Sequence, residues 1–205
     1  MKYRRTRIKF CGITRLADAE AAVEYGCDAL GFVFDPASAR AIRTEDAQQI
    51  ADALPLFVAT VALFRDADIE LVRKVLAVFK PGYLQFHGQE SPAFCVSLRL
   101  PYVKAVGMSQ PQDLERWARD YPDARALLLD SHQLGGQGGT GKPFDWEMLK
   151  RLPTKPIVLA GGLNPDNVAR AITMTRPYAV DVSSGIERAP GIKDHERMRE
   201  FIRQV

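Results

Sequence analysis

Three cysteines in 205 residues are too few and too scattered for a disulfide framework or a zinc site. Cys11, Cys27 and Cys95 contain no CxxC pair, and an odd count leaves one over. No apolar run reaches the roughly 20 residues of a membrane-spanning helix. The basic start, Met1-Lys2-Tyr3-Arg4-Arg5-Thr6-Arg7, is not followed by the apolar stretch a secretory signal requires. Neither sign of charge dominates. A net charge of +3, with basic and acidic residues interspersed, leaves no footprint for nucleic acid, although the slight basic excess favours a small anion. These absences predict a reduced, cytoplasmic protein with no bound metal, no nucleic-acid partner and no membrane partner.

What is present suits one globular domain over residues 1–205, because 46% hydrophobic and 26% charged residues are ordinary for a soluble chain with a sizeable core. Short apolar runs alternate with amphipathic stretches throughout, without long linkers or low-complexity segments. The runs at 7–11, 29–34, 57–64, 83–87, 101–106, 126–130, 156–160 and 178–182 read as strands. Between them, helical patterns cover Leu16 to Tyr25 (stopped by Gly26), a stretch capped by Thr44 and running to about Leu54, and Asp68 to Phe79. Further helices start at Ser91-Pro92, run from Gln110 to Arg119, pass through Trp146 and Leu149, open at Asn164-Pro165, and run from Asp194 to Val205. Eight β-then-α units imply a parallel sheet with helical crossovers, and eight is the count that closes a (β/α)₈ TIM barrel. A doubly wound open sheet more often has five or six strands and a glycine fingerprint after the first, where this chain has Cys11-Gly12-Ile13-Thr14.

The first unit carries the most chemistry. Lys9 and Cys11 project to the same side of one strand. Thr14 offers a capping hydroxyl to the helix that follows, so Cys11 is expected where a helix N-terminus points back at it. A neighbouring cation and a helix dipole both favour the thiolate, which predicts a lowered thiol pKa. A buried, inert cysteine is the alternative, and Cys27 and Cys95 are read that way.

Active sites of such barrels lie at the C-terminal ends of the strands. Those ends supply Cys11, the Arg40 loop, His87, Asp130, Gly161-Gly162 and Asp181 through Gly185. Small residues in Gly161-Gly162 and Ser183-Ser184-Gly185 let backbone N–H groups approach an anion, and helix starts behind them would add positive potential. These five residues are the expected phosphate grip. Taken alone, Asp130 serves equally as a capping or salt-bridged carboxylate, and His87 as a hydrogen-bonded structural histidine. Lys9 and Asp181 lie on strands that adjoin when a barrel closes, so a buried ion pair is expected between them. The run Gly136-Gln137-Gly138-Gly139-Thr140-Gly141-Lys142 fits nucleotide-loop patterns only weakly, since Pro143 stands where magnesium would need a hydroxyl. It reads better as a loop closing over substrate.

In order, the segments Lys9-Phe10-Cys11-Gly12-Ile13-Thr14, Gln85-Phe86-His87-Gly88, Leu128-Leu129-Asp130, Gly138 to Lys142, Ala160-Gly161-Gly162-Leu163 and Asp181 to Glu187 resemble phosphoribosylanthranilate isomerase, as does the closing Pro190 to Asp194. The resemblance spans the chain, departing at Ala39 and Pro143. It implies an Amadori rearrangement in tryptophan biosynthesis: N-(5-phosphoribosyl)anthranilate becomes 1-(2-carboxyphenylamino)-1-deoxyribulose 5-phosphate. It implies Cys11 as general base, Asp130 as general acid held protonated by a raised pKa, and Arg40 as partner of the anthranilate carboxylate. His87 and Asp181 join as substrate contacts, with no cofactor, in a monomer or weak homo-oligomer. Two rivals stand beside it. One is a phosphosugar isomerase of histidine biosynthesis, which carries an aspartate where this chain has Cys11; the other is a non-catalytic phosphate-binding module.

Overall fold

The computed structural model describes residues 5–131, 144–149 and 153–205. The expected closing loop around Gly136–Lys142 lies outside the described residues. Eight parallel strands close into a barrel in chain order: β1 (Arg7–Cys11), β2 (Ala29–Val33), β3 (Ala59–Phe64), β4 (Tyr83–Phe86), β5 (Tyr102–Gly107), β6 (Ala126–Asp130), β7 (Ile157–Leu159) and β8 (Ala179–Val182). β8 pairs back onto β1, with Lys9 opposite Asp181, and this closure excludes the open doubly wound sheet.

Helices α1 (Leu16–Tyr25), α2 (Thr44–Asp52), α3 (Ile69–Val78), α4 (Pro92–Ser97) and α5 (Leu114–Asp120) follow the first five strands in turn. Between β6 and β7 the described residues hold a short 3₁₀ turn, Trp146–Leu149. α6 (Val168–Thr175) follows β7. After β8 come a second 3₁₀ turn, Ser184–Ile186, a two-stranded hairpin of β9 (Glu187–Ala189) and β10 (Ile192–Lys193), and α7 (His195–Gln204). The hairpin is absent from the sequence reading. Its strands are too short to show periodicity.

Side-chain alternation sorts each strand between two environments. Ile8 and Phe10 of β1, Phe32, Phe64, Phe86, Leu127, Leu159 and Val180 point outward into the layer beneath the helices. Aromatic rings fill much of it. Phe32 meets Phe79 edge to face at 5.3 Å, and Phe34 stacks on Phe64 at 5.7 Å. Cutting one of these rings back, as in Phe32→Ala, would cost about 3–5 kcal/mol, since a close-packed layer collapses only in part. Inside the barrel Ala105, Ala126, Leu128, Val158, Ala160 and Ala179 form a smaller apolar plug. Above it the interior turns polar, and the site begins there.

Several helix starts are built as the sequence implies. The Asp68 carboxylate accepts the Leu71 N–H, Ser91 accepts that of Phe94 with Pro92 next to it, and Asp194 accepts those of Glu196 and Arg197. Gly26 closes α1 at φ +101°, a backbone angle glycine takes without strain. Others differ. Thr14 caps nothing: Arg15 is the N-cap of α1, and the Thr14 hydroxyl donates instead to the Gly191 carbonyl, tying β1 to the hairpin. Thr44 is the first residue inside α2 rather than its cap. β3 begins at Ala59, because Phe57 takes φ +73° and stands 99% exposed. α6 begins at Val168: Asn164 accepts the Asp166 N–H and donates its own to Asn167, a side-chain turn that holds the chain out of a helix.

Candidate active site

The polar end of the barrel opens into a cavity of about 430 Å³ lined by Cys11, Arg40, Arg65, His87, Asp130, Gly161, Gly162, Asp181, Ser183 and Ser184, among others. Each strand delivers its residue through the same alternation that packs the core. On β1, with Ile8 and Phe10 outward, Lys9 and Cys11 face inward. On β4 and β6 the inward residues are Gln85 and Asp130, and His87 follows β4 at the rim.

Lys9 Nζ lies 2.9 and 3.0 Å from the two Asp181 oxygens, the expected pair across the β1–β8 seam. Burial alone would lower the lysine pKa, but the Asp181 and Cys11 charges and hydrogen bonds outweigh it, and the pKa is raised. Burial also pushes the Asp181 carboxyl up, against the pull of Lys9 and with the push of Asp130. Gly31, level with Cys11 on β2, makes room for this packing. A Cβ there would fall 2.8 Å from the Cys11 sulfur and 3.0 Å from Lys9 Nζ.

The thiol itself departs from expectation. Burial pushes the Cys11 pKa up, and the opposing charges of Lys9 and Lys193 do not overcome it. The lowered value read from the sequence assumed a partly solvated sulfur facing a capped helix start. Cys11 is instead enclosed, 7% exposed, and α1 begins at Leu16 without a side-chain cap.

On the opposite wall His87 Nε2 stands 3.5 Å from Asp130 Oδ2, and the Gln85 amide nitrogen lies 3.1 Å from His87 Nδ1. With Gln85 donating to Nδ1, the neutral ring carries its proton on Nε2, facing Asp130. The two small-residue loops sit between these walls. Gly161 and Gly162 take φ +79° and +69°, and a Cβ on Gly161 would strike the Ser131 nitrogen at 2.3 Å. Gly185 is outside the cavity lining. It lets the loop after β8 press on the loop after β7, since a Cβ there would come within 1.9 Å of the Leu163 carbonyl oxygen. The helix starts expected behind these loops are also displaced: α6 opens four residues past Asn164, and 184–186 is a single 3₁₀ turn.

The family model for N-(5'phosphoribosyl)anthranilate (PRA) isomerase matches residues 8–204. The chain belongs to this family. The N-(5'-phosphoribosyl)anthranilate isomerase of Nitrosococcus oceani is 48% identical over 201 residues, covering 98% of each chain. The crystal structure of phosphoribosyl anthranilate isomerase from Thermus thermophilus superposes with a TM-score of 0.88 at 40% identity, covering 97% of this chain and 98% of that one. A further phosphoribosyl anthranilate isomerase structure, in complex with reduced 1-(o-carboxyphenylamino)-1-deoxyribulose 5-phosphate, superposes at 0.82 with 40% identity and 98% coverage of both.

Against this family background, one cavity gathers Cys11, Arg40, His87, Asp130, Asp181, Gly161, Gly162, Ser183 and Ser184, and leaves out Gly185. Arg40 reaches it already engaged. Its Nε lies 2.9 Å from Glu187 Oε1 and its Nη2 2.8 Å from Oε2. Burial would raise the Glu187 carboxyl, but its bonds to Arg40 and the Lys193 charge hold it below the ordinary range. Glu187 and Lys193, like the Arg65–Asp35 pair at the mouth (2.8 Å), carry no assigned role in the sequence reading. Their signal was weak, for a single charge in a short hairpin or loop looks like solvated surface. No group of three or more His, Cys, Asp or Glu among the described residues could hold a metal ion, and none of their helices is long and apolar enough to cross a membrane.

Proposed function

We propose that this protein isomerises N-(5-phosphoribosyl)anthranilate to 1-(2-carboxyphenylamino)-1-deoxyribulose 5-phosphate, an Amadori rearrangement in tryptophan biosynthesis, within a single domain. Asp130 gives a proton to the furanose ring oxygen, the C–O bond opens, and the nitrogen lone pair forms an iminium at C1. Cys11, as thiolate, removes the proton from C2. The electron pair moves into C1–C2 and neutralises the iminium, and the resulting enolamine tautomerises to the C2 ketone. The substrate's own nitrogen is the electron sink, so the chemistry calls for no cofactor.

What supports this reading is one observation above the rest: a thiol and a carboxylic group face one small cup from β1 and β6, with small-residue loops between them. Cys11 and Asp130 then act at C2 and at the ring oxygen of one sugar while Gly161, Gly162, Ser183 and Ser184 hold its phosphate through backbone N–H groups. Gly185 supports that grip by letting the two loops touch. Arg40 presents what remains of its guanidinium to the anthranilate carboxylate. His87, with its Nε2 proton turned to Asp130, steadies the acid, and Asp181 steadies Lys9 beside the base. A base that must stay a free thiol suits a reducing, cytoplasmic compartment.

The test is incubation with freshly prepared phosphoribosylanthranilate, following its fluorescence. The expected result is enzyme-dependent decay above the spontaneous rate, with the aminoketose as product. A trace no faster than buffer would overturn the proposal.

A further inference from the structure

Three parts of the cup trace back to one ammonium that the steps above do not use. Lys193, on β10, is 2% exposed. Its Nζ donates to the Cys11 carbonyl at 2.6 Å, to the Ser183 carbonyl at 3.3 Å and to Glu187 Oε1 at 2.9 Å. Glu187 in turn holds Arg40. A buried ammonium is costly unless its charge is compensated and its protons are all bonded. Here the bonding is complete and the compensation is not. One carboxylate, Glu187, serves two cations, Lys193 and Arg40, so with Lys193 protonated these three groups leave one positive charge in excess. Burial lowers the Lys193 pKa against the pull of Glu187, and the Asp18 carboxylate beyond accepts the Lys193 backbone N–H and faces His195.

That excess matters because of what lies on the other side of the sulfur. Lys9 is the first cation acting on Cys11, and Asp181 offsets part of its charge. The remaining charged groups around the thiol are Lys193 on β10, with Arg40 and Glu187 behind it, and His87 and Asp130 across the cup; β2 offers only Gly31. We propose that Lys193 is a positioning residue for Cys11: it fixes the strand end through the Cys11 carbonyl and adds positive charge, beside that of Lys9, against which the thiol ionises. The proposal rests on Cys11 being the base. The direction of the Lys193 contribution agrees, since its charge works against the burial that raises the thiol.

The test follows iodoacetamide alkylation of Cys11 against pH, resolved by peptide mass spectrometry so that Cys27 and Cys95 do not confuse the reading. In Lys193→Met the midpoint is expected to rise by about one unit, with kcat falling about tenfold at neutral pH while KM changes far less. Lys193→Arg keeps the charge and should bring the midpoint back toward the parent. Glu187→Gln removes the compensating charge and should move the midpoint down. A merely structural lysine would leave all midpoints in place. An unchanged midpoint in Lys193→Met, or an upward shift in Glu187→Gln, overturns the proposal; if Lys193→Met fails to fold, Glu187→Gln decides. Should Cys11→Ala retain turnover, the base assignment falls while the midpoint shifts still stand, so the two failures are told apart.

Discussion

The barrel wall holds two lysine–carboxylate pairs of nearly the same burial, one on each side of it. Lys9 and Asp181 sit inside, with side chains 9% and 7% exposed. Lys104 and Glu90 sit outside beneath the helices, at 0% and 3%. The inner pair touches a thiol and a cavity. The outer pair touches backbone: Lys104 donates to the Gly88 and Phe86 carbonyls, and Glu90 accepts the N–H groups of Gly88 and Asp66. Chemistry and strut are thus made from the same two residue types. What separates them is strand parity, for Lys9 falls on an inward position of β1 and Lys104 on an outward position of β5. A buried charge pair announces function only when its side of the wall is known.

The largest effects should come from inside. Cys11→Ala and Asp130→Asn are each expected to lower kcat by roughly 10²–10⁴ while the thermal midpoint stays near the parent value. Near-normal turnover in either would remove that residue from the chemistry. Lys104→Met tests the other side. It strands the Glu90 carboxylate without its cation, and breaking a buried pair from one end costs about 3–5 kcal/mol. Urea unfolding should record that loss, while kcat of the folded fraction stays within about threefold of the parent. Full stability with lost activity would invert the comparison and give Lys104 a part in the chemistry.

Arg40→Ala should act on binding more than on rate. Charge-assisted bonds to a carboxylate are worth about 1.5–3 kcal/mol, so KM should rise about tenfold to a hundredfold with kcat less affected. The change releases Glu187 as well, so a companion measurement uses an analogue without the carboxylate. Parent and Arg40→Ala enzymes should handle it alike. If the analogue suffers the full loss too, Arg40 serves the hairpin and not the substrate.

Much of this was legible beforehand because barrel strands obey a period of two and end on punctuating residues. β6 and α1 fall where the sequence places them, and the Lys9–Asp181 pair follows from closure alone. Thr14, Thr44 and Phe57 were misread for local reasons. A hydroxyl or an apolar ring signals a cap or a strand only if the backbone cooperates, and Phe57 turns into the left-handed region instead. The Cys11 thiol was misread in sign because a sequence shows a neighbouring lysine but not the depth at which both are buried. Lys193 and Glu187 were hidden more thoroughly. Their roles depend on a seven-residue hairpin, 187–193, folding back under β1, about 180 positions away in the chain, a contact no local pattern encodes.

The smallest effect extends the comparison to the cysteines. Cys27 and Cys95 belong to the layer outside the barrel, where burial pushes both thiols up to about 12 and neither lines the cavity. An unfolded cysteine loses its proton near 9, so between roughly pH 9 and 12 the folded chain binds more protons than the unfolded one. Their contribution is complete below about 9 and fades as pH climbs toward 12. For Cys27 the loss at pH 10 is on the order of 1 kcal/mol. Urea midpoints at pH 8 and pH 10 should therefore converge more in Cys27→Ala than in the parent, even though the variant is weaker at both for lack of a buried side chain. An equally steep alkaline decline in the two proteins would show that Cys27 does not carry it, leaving Cys95, Tyr102 and Tyr121, whose protons burial also holds, or the inner thiol.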